Sequence, residues 1–174
     1  SPGGLVTFAE GLGGRTFTLG SPLILNKDVT ISASSLINPP SISGGGSVLV
    51  MKLNGVQAAF ENLNIVDGRT AGEAGAGIQV VGGAEGTFDN CEVRKCHAGS
   101  SGGGLFVDGQ STLLIRDCLV AGNKVTSAGG GKGGGIYGAS GSEILLIRTQ
   151  VSGNSTLSLG SGGGIAVEGG DPGD

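Results

Sequence analysis

A cluster of glycines followed by one aliphatic residue recurs four times, as GAGI, GGGL, GGGI and GGGI, ending at Ile78, Leu105, Ile136 and Ile165. The intervals between these residues are 27, 31 and 29. Self-similarity at this period marks stacked repeats that bury their apolar face only against their neighbours. A second apolar pattern follows each of the first three clusters, reading TFDNCEV, LLIRDCLV and ILLIRTQV. The last two run on into Gly122-Asn123 and Gly153-Asn154. Ile78 to Cys96, Leu105 to Asn123 and Ile136 to Asn154 are each separated by 18 residues, and Val50 to Gly68 repeats the count. Spacers of 10, 9, 13 and 11 residues separate these blocks, so the sequence confines its length variation to one loop per repeat.

Within the block, apolar residues fall into columns. Phe60, Phe88, Ile115 and Leu146 form one, Leu63, Cys91, Cys118 and Thr149 the next, and Ile65, Val93, Val120 and Val151 the third. Alternation with period two makes each segment a strand with one face inward. It breaks at a single place, where Asn62, Asn90, Asp117 and Arg148 stand, and that position reads as a bend in left-handed backbone. Strands of three to five residues joined by tight turns leave no room for helical crossovers between parallel neighbours. The economical fold is an all-β, right-handed parallel β-helix in which each strand pairs with its equivalent one coil later. Roughly six coils, at about 4.8 Å each, make a cylinder about 29 Å long. Residues 1–174 read as one such domain, with 50–174 the regular coils and 1–49 two less regular leading coils. In that leading part TFTL, LIL and VTI read as strands and NPPSISGGG as a turn-rich link. The chain ends at GGDPGD soon after the strand IAV, so the last coil reads as incomplete and the fragment as open-ended. Ser1 reads as a point where a longer chain was cut, and an open end invites end-to-end self-association.

Composition narrows the alternatives. Glycine supplies 39 of 174 residues against 5 prolines, too many for helices, since each interior glycine costs about 0.5–1 kcal/mol relative to alanine. Collagen is excluded because the glycines do not recur every third residue. With five Phe, one Tyr and no Trp, the core is aliphatic. A net charge of -4 without a Lys/Arg run in the sequence argues against nucleic acid as a partner. No segment is apolar over the roughly 20 residues that span a bilayer, and the first residues lack the pattern of a signal peptide. Cys91, Cys96 and Cys118 are an odd set without CxxC spacing, which indicates neither a zinc site nor a complete disulfide framework and leaves their redox state open.

These features resemble a known group. The GGG-aliphatic repeats with Phe-bearing strands after them resemble the repeat regions of the polymorphic outer-membrane protein family and of related bacterial right-handed β-helix surface proteins. The lead-in VTFAEGLGGRTFTLGSPLILNKDVTIS, with ISGGG and NLNIVDG, resembles the opening coils of such proteins. The resemblance implies an extracellular or cell-surface passenger or stalk for adhesion, display or structure, and brings no catalytic residues with it.

Candidate chemistry is sparse. Parallel β-helices include polysaccharide lyases and glycoside hydrolases, and hydrolysis needs paired carboxylates about 5–9.5 Å apart. Glu61, Asp89 and Arg116 share an outward column, with Glu92 one position away, but side by side they read as surface ion pairing. His97, the sole histidine, opens the spacer HAGSSGGG and reads as a solvated loop residue. Cys91 and Cys118 share an inward column and read as a buried thiol stack, with a disulfide disfavoured by in-register parallel geometry. Asn154-Ser155-Thr156 has the form of a glycosylation sequon, although its asparagine sits in a turn column with Asn123, where amides stack. The glycine clusters lack the Lys-Ser/Thr ending of phosphate loops and the GGxGxD of calcium repeats, so no cofactor or metal is expected.

The residues following the cluster aliphatics, Gln79, Phe106, Tyr137 and Ala166, should share one exterior column, putting Phe106 and Tyr137 side by side on the surface. The pair is the candidate binding site, for a surface glycan or a protein receptor. The function expected is a non-enzymatic extracellular scaffold for adhesion, envelope structure or filament building. The alternative is a carbohydrate-binding or carbohydrate-modifying β-helix whose site is incomplete in this segment.

Overall fold

The computed structural model describes residues 3–157 and 159–169. It is a parallel β-solenoid whose three principal sheets each hold six strands, one from every coil. The first sheet stacks Gly4–Thr7, Val29–Ser32, Gln57–Glu61, Glu85–Asp89, Thr112–Arg116 and Glu143–Ile147. The second stacks Thr16–Thr18, Ser41–Ser43, Asn64–Val66, Glu92–Arg94, Leu119–Ala121 and Gln150–Ser152. The third stacks Leu23–Leu25, Met51–Asn54, Ile78–Val81, Leu105–Val107, Ile136–Gly138 and Ile165–Val167. The only helix among the described residues is a 3-10 turn at Glu10–Leu12.

Side chains alternate across each strand, so every coil contributes inward columns to one continuous core. Phe60, Phe88 and Ile115 are fully buried in one of them, with the two phenyl rings stacked at 4.6 Å. The corner between the first and second sheets lies where the polar interruption predicted it. Asn62, Asn90, Asp117 and Arg148 have φ of 57°, 50°, 53° and 45°, left-handed backbone that Asn and Asp tolerate best. Arg148 is the unusual occupant, and its guanidinium donates two hydrogen bonds to the Asp117 carboxylate one coil away, at 2.6 and 2.7 Å. Asn62 is buried and donates from Nδ2 to the carbonyls of Ala33 and Leu36, clamping the longer corner of the coil above.

The glycine clusters serve two purposes. The first glycine of each, Gly75, Gly102, Gly133 and Gly162, has φ between 60° and 65°. The last is a matter of space: a Cβ on Gly135 would lie 2.8 Å from Nδ2 of Asn154 and 2.6 Å from the Gly164 carbonyl. That asparagine belongs to an interior amide stack. Asn123 is fully buried, accepts from the Cys96 amide at 3.0 Å, and donates to the Val93 carbonyl and to Oδ1 of Asn154. Nδ2 of Asn154 in turn donates to the Val120 carbonyl, so the sequon asparagine is engaged inside the fold. Replacing Asn123 by leucine should cost about 3 kcal/mol, because buried partners lose their hydrogen bonds. Urea unfolding checks this, and an unchanged midpoint would show that the stack contributes nothing.

Four details depart from the sequence reading. The first block is not gap-free: Met51, not Val50, pairs with Ile78, and the turn Gly55–Val56 is one residue shorter than its counterpart 82–84. The link NPPSISGGG contains a strand, Ser41–Ser43, paired on both sides. His97 faces outward from a ladder and not from a loop: His97–Ala98 pairs with Lys124–Val125, and bridges from Arg69 to His97 and from Lys124 to Ser155 extend this short fourth ladder. The spacer 124–133 is therefore in register at its start, and Lys132 bridges to Ser161 near its end, leaving 127–130 outside any ladder. The closing GDPGD, residues 170–174, lies outside the described residues.

Candidate functional site

In the third sheet Leu105, Val107 and Ile136 point inward, so the residues between them face out. Strand register lines up Ile24, Lys52, Gln79, Phe106, Tyr137 and Ala166 in one exterior column on six successive coils. Phe106 and Tyr137 are direct neighbours in it, with ring centroids 5.9 Å apart and planes inclined by 23°. This is an offset stack, the arrangement the ring quadrupoles favour. Each ring covers part of the other, and both residues are half-buried rather than lying open as a flat floor.

Gln79 does not share their exposure. It is buried, because the spacer folds over it and the Ala74 carbonyl accepts a hydrogen bond from its Nε2 at 2.7 Å. The spacers also press against the aromatic column from one side: a Cβ on Gly75 or Gly133 would lie 2.7 Å from the Cβ of Phe106 or 2.9 Å from that of Tyr137. Glycine there lets the loops approach.

The Tyr137 end of the column has a polar border that the sequence reading missed. Lys132, in the spacer before the Tyr137 strand, pairs at 2.7 Å with Glu168, which follows the strand of the next coil. Burial raises the Tyr137 phenol to about 12, and the adjacent Glu168 carboxylate adds to the shift. Glu168 itself is held below the usual carboxylate range, first by Lys132 and then by the phenol. An apolar stack bordered by a hydroxyl, an ammonium and a carboxylate suits a ring with one apolar face and polar edges.

The other candidates stay apart from this face. Asp89 pairs with Arg116 at 3.5 Å, and Glu61 accepts a hydrogen bond from Ser32 at 2.6 Å, along a groove of about 430 Å³ that Ile37 overhangs. Cys91, Cys96 and Cys118 are free and buried. The hydrogen bond with Cys118, together with burial, pushes the Cys91 thiol up, and burial pushes Cys96 to about 12, so neither supplies a thiolate nucleophile at neutral pH. Among the described residues no three His, Cys, Asp or Glu side chains are grouped to hold a metal ion.

No curated protein and no solved structure matches the chain. The family model described as a right handed beta helix region matches residues 23–173, which takes in five of the six coils and the aromatic column. The chain therefore belongs to the right-handed β-helix family.

Proposed function

We propose that this chain is a non-enzymatic β-helical scaffold of the cell surface or extracellular space, of the kind that polymorphic outer-membrane repeats build, and that it makes adhesive contact through Phe106 and Tyr137. The observation that carries the reading is the stacked aromatic pair on the outside of a sheet, bordered by the Lys132–Glu168 ion pair. The core is already filled by its inward columns, Phe60 and Phe88 among them, so an exterior stack in a chain with six aromatic residues is surplus to packing needs. A pyranose ring of a surface glycan fits this border better than an apolar protein side chain, because its hydroxyls meet the Tyr137 hydroxyl, Lys132 and Glu168. The carboxylates Glu61 and Asp89 are engaged by Ser32 and Arg116, which is why the carbohydrate contact is placed at the aromatic pair and not beside them.

The double variant Phe106→Ser with Tyr137→Ser tests the reading on a glycan array. Its circular dichroism should match the parent, since both side chains lie outside the core. Glycan capture should fall at least about tenfold, as expected where a central aromatic contact is lost. A folded double variant that captures glycans as the parent does removes this face from consideration.

A further inference from the structure

The fourth ladder aligns Arg69, His97 and Lys124 in one outward column on consecutive coils, since Thr70, Ala98 and Val125 beside them are buried. Arg69 and Lys124 therefore stand two coils apart on one outer face, with no acid in the column between them. Among the described residues none of the three enters an ion pair or a side-chain hydrogen bond. Lys95 adds a further exposed cation nearby, and the acids of this region are Asp67, in the turn column with Lys95, and Glu73 in the neighbouring spacer.

At the opposite edge of the third sheet, where the first sheet begins, a column of the reverse sign runs down the rod. It reads Asp28, Gln57, Glu85, Thr112 and Glu143 on five consecutive coils. Acid and neutral residues alternate, so the carboxylates recur every second coil, about 9.6 Å apart. Asp28 accepts from the Gln57 amide and Glu85 from the Gln57 side chain, but none of the three acids is paired with a cation among the described residues. Arg69 and Lys124 are also two coils apart, about 9.6 Å, with His97 between them where the acidic column carries a glutamine or threonine.

We propose that this chain associates laterally with a second copy of itself, the Arg69–His97–Lys124 column of one rod lying along the Asp28–Glu143 column of the next. Both columns keep the same two-coil spacing, so Arg69 and Lys124 of one rod meet two successive carboxylates of the other together, either Asp28 and Glu85 or Glu85 and Glu143. The two columns sit on different corners of the coil, so the contact is heterologous. Each rod added leaves a free column of each sign, and the product is an open row of parallel or antiparallel rods rather than a closed dimer. The contact is separate from the aromatic face, and its failure would leave that proposal standing.

Sedimentation velocity of the chain tests it at about 20 mM and about 300 mM salt, since exposed charges are screened at the higher value. Association that grows with concentration at low salt and weakens at least about tenfold at high salt is expected. The charge-reversed variants Arg69→Glu with Lys124→Glu, and Glu85→Lys with Glu143→Lys, should each be monomeric alone and should associate when mixed. A parent that stays monomeric at low salt overturns the proposal. So does a variant that associates like the parent, as end-to-end stacking would allow, or a mixture that stays monomeric.

Discussion

Ile115→Asp is expected to unfold the coils around it, with a loss of about 4 kcal/mol or more, whereas Arg116→Asp is expected to cost about 1 kcal/mol or less. Ile115 is 1% exposed and stands in the inward column between Phe88 and Leu146. A carboxylate there has no partner within the core, and the aliphatic packing it replaces is lost as well. Arg116, the next residue, faces solvent and loses only its 3.5 Å pairing with Asp89, gaining a like-charged neighbour in exchange. Urea unfolding followed by far-ultraviolet circular dichroism separates the two. Equal losses would mean that the strand Thr112–Arg116 does not alternate between core and solvent.

Three glycines inserted between Leu114 and Ile115 should abolish the cooperative transition, while the same insertion between Ala128 and Gly129 should cost about 0.5 kcal/mol. An odd insertion within a strand turns every following side chain to the opposite face, and here it would also break pairing with the coils on both sides. The segment 127–130 makes no ladder contact, and lengthening such a loop costs only closure entropy. The window is narrow. Moving the insertion to Lys124–Val125 should be harmful, because those residues pair with His97–Ala98. Thermal unfolding of the three insertions gives the ranking, and equal damage at all three sites would remove the distinction between ladder and spacer.

The core columns were legible because inward residues repeat at fixed offsets and the bend residue interrupts them at a constant place. Even Arg148, a poor candidate for left-handed backbone by residue type, was located by its alignment with Asn62, Asn90 and Asp117. What escaped were elements too short to show a period. His97–Ala98 and Lys124–Val125 are strands of two residues, which no alternation can reveal. Their signal was positional: Arg69, His97, Lys124 and Ser155 each follow directly on the end of the block, so the constant unit is longer than its apolar pattern. Ser41–Ser43 was hidden between Pro39-Pro40 and the glycines at 44–46, which read as turn whatever lies between them. In the candidate site, the neighbourhood of Phe106 and Tyr137 followed from spacing alone. The burial of Gln79 did not, because it depends on a spacer folding back over the sheet, and neither did the Lys132–Glu168 pair, which joins two coils across 36 residues.

Because Leu105 and Ile136 are equivalent positions preceded by equivalent glycines, removing residues 105–135 would join Gly104 to Ile136 without changing which residue faces inward at the junction. Length in this molecule is therefore graduated. Whole coils added or removed by duplication or loss of a gene segment change the reach of the rod in steps of about 4.8 Å. Coil number thus sets the length of the rod like marks on a ruler, while the residues exposed on the remaining coils stay as they were.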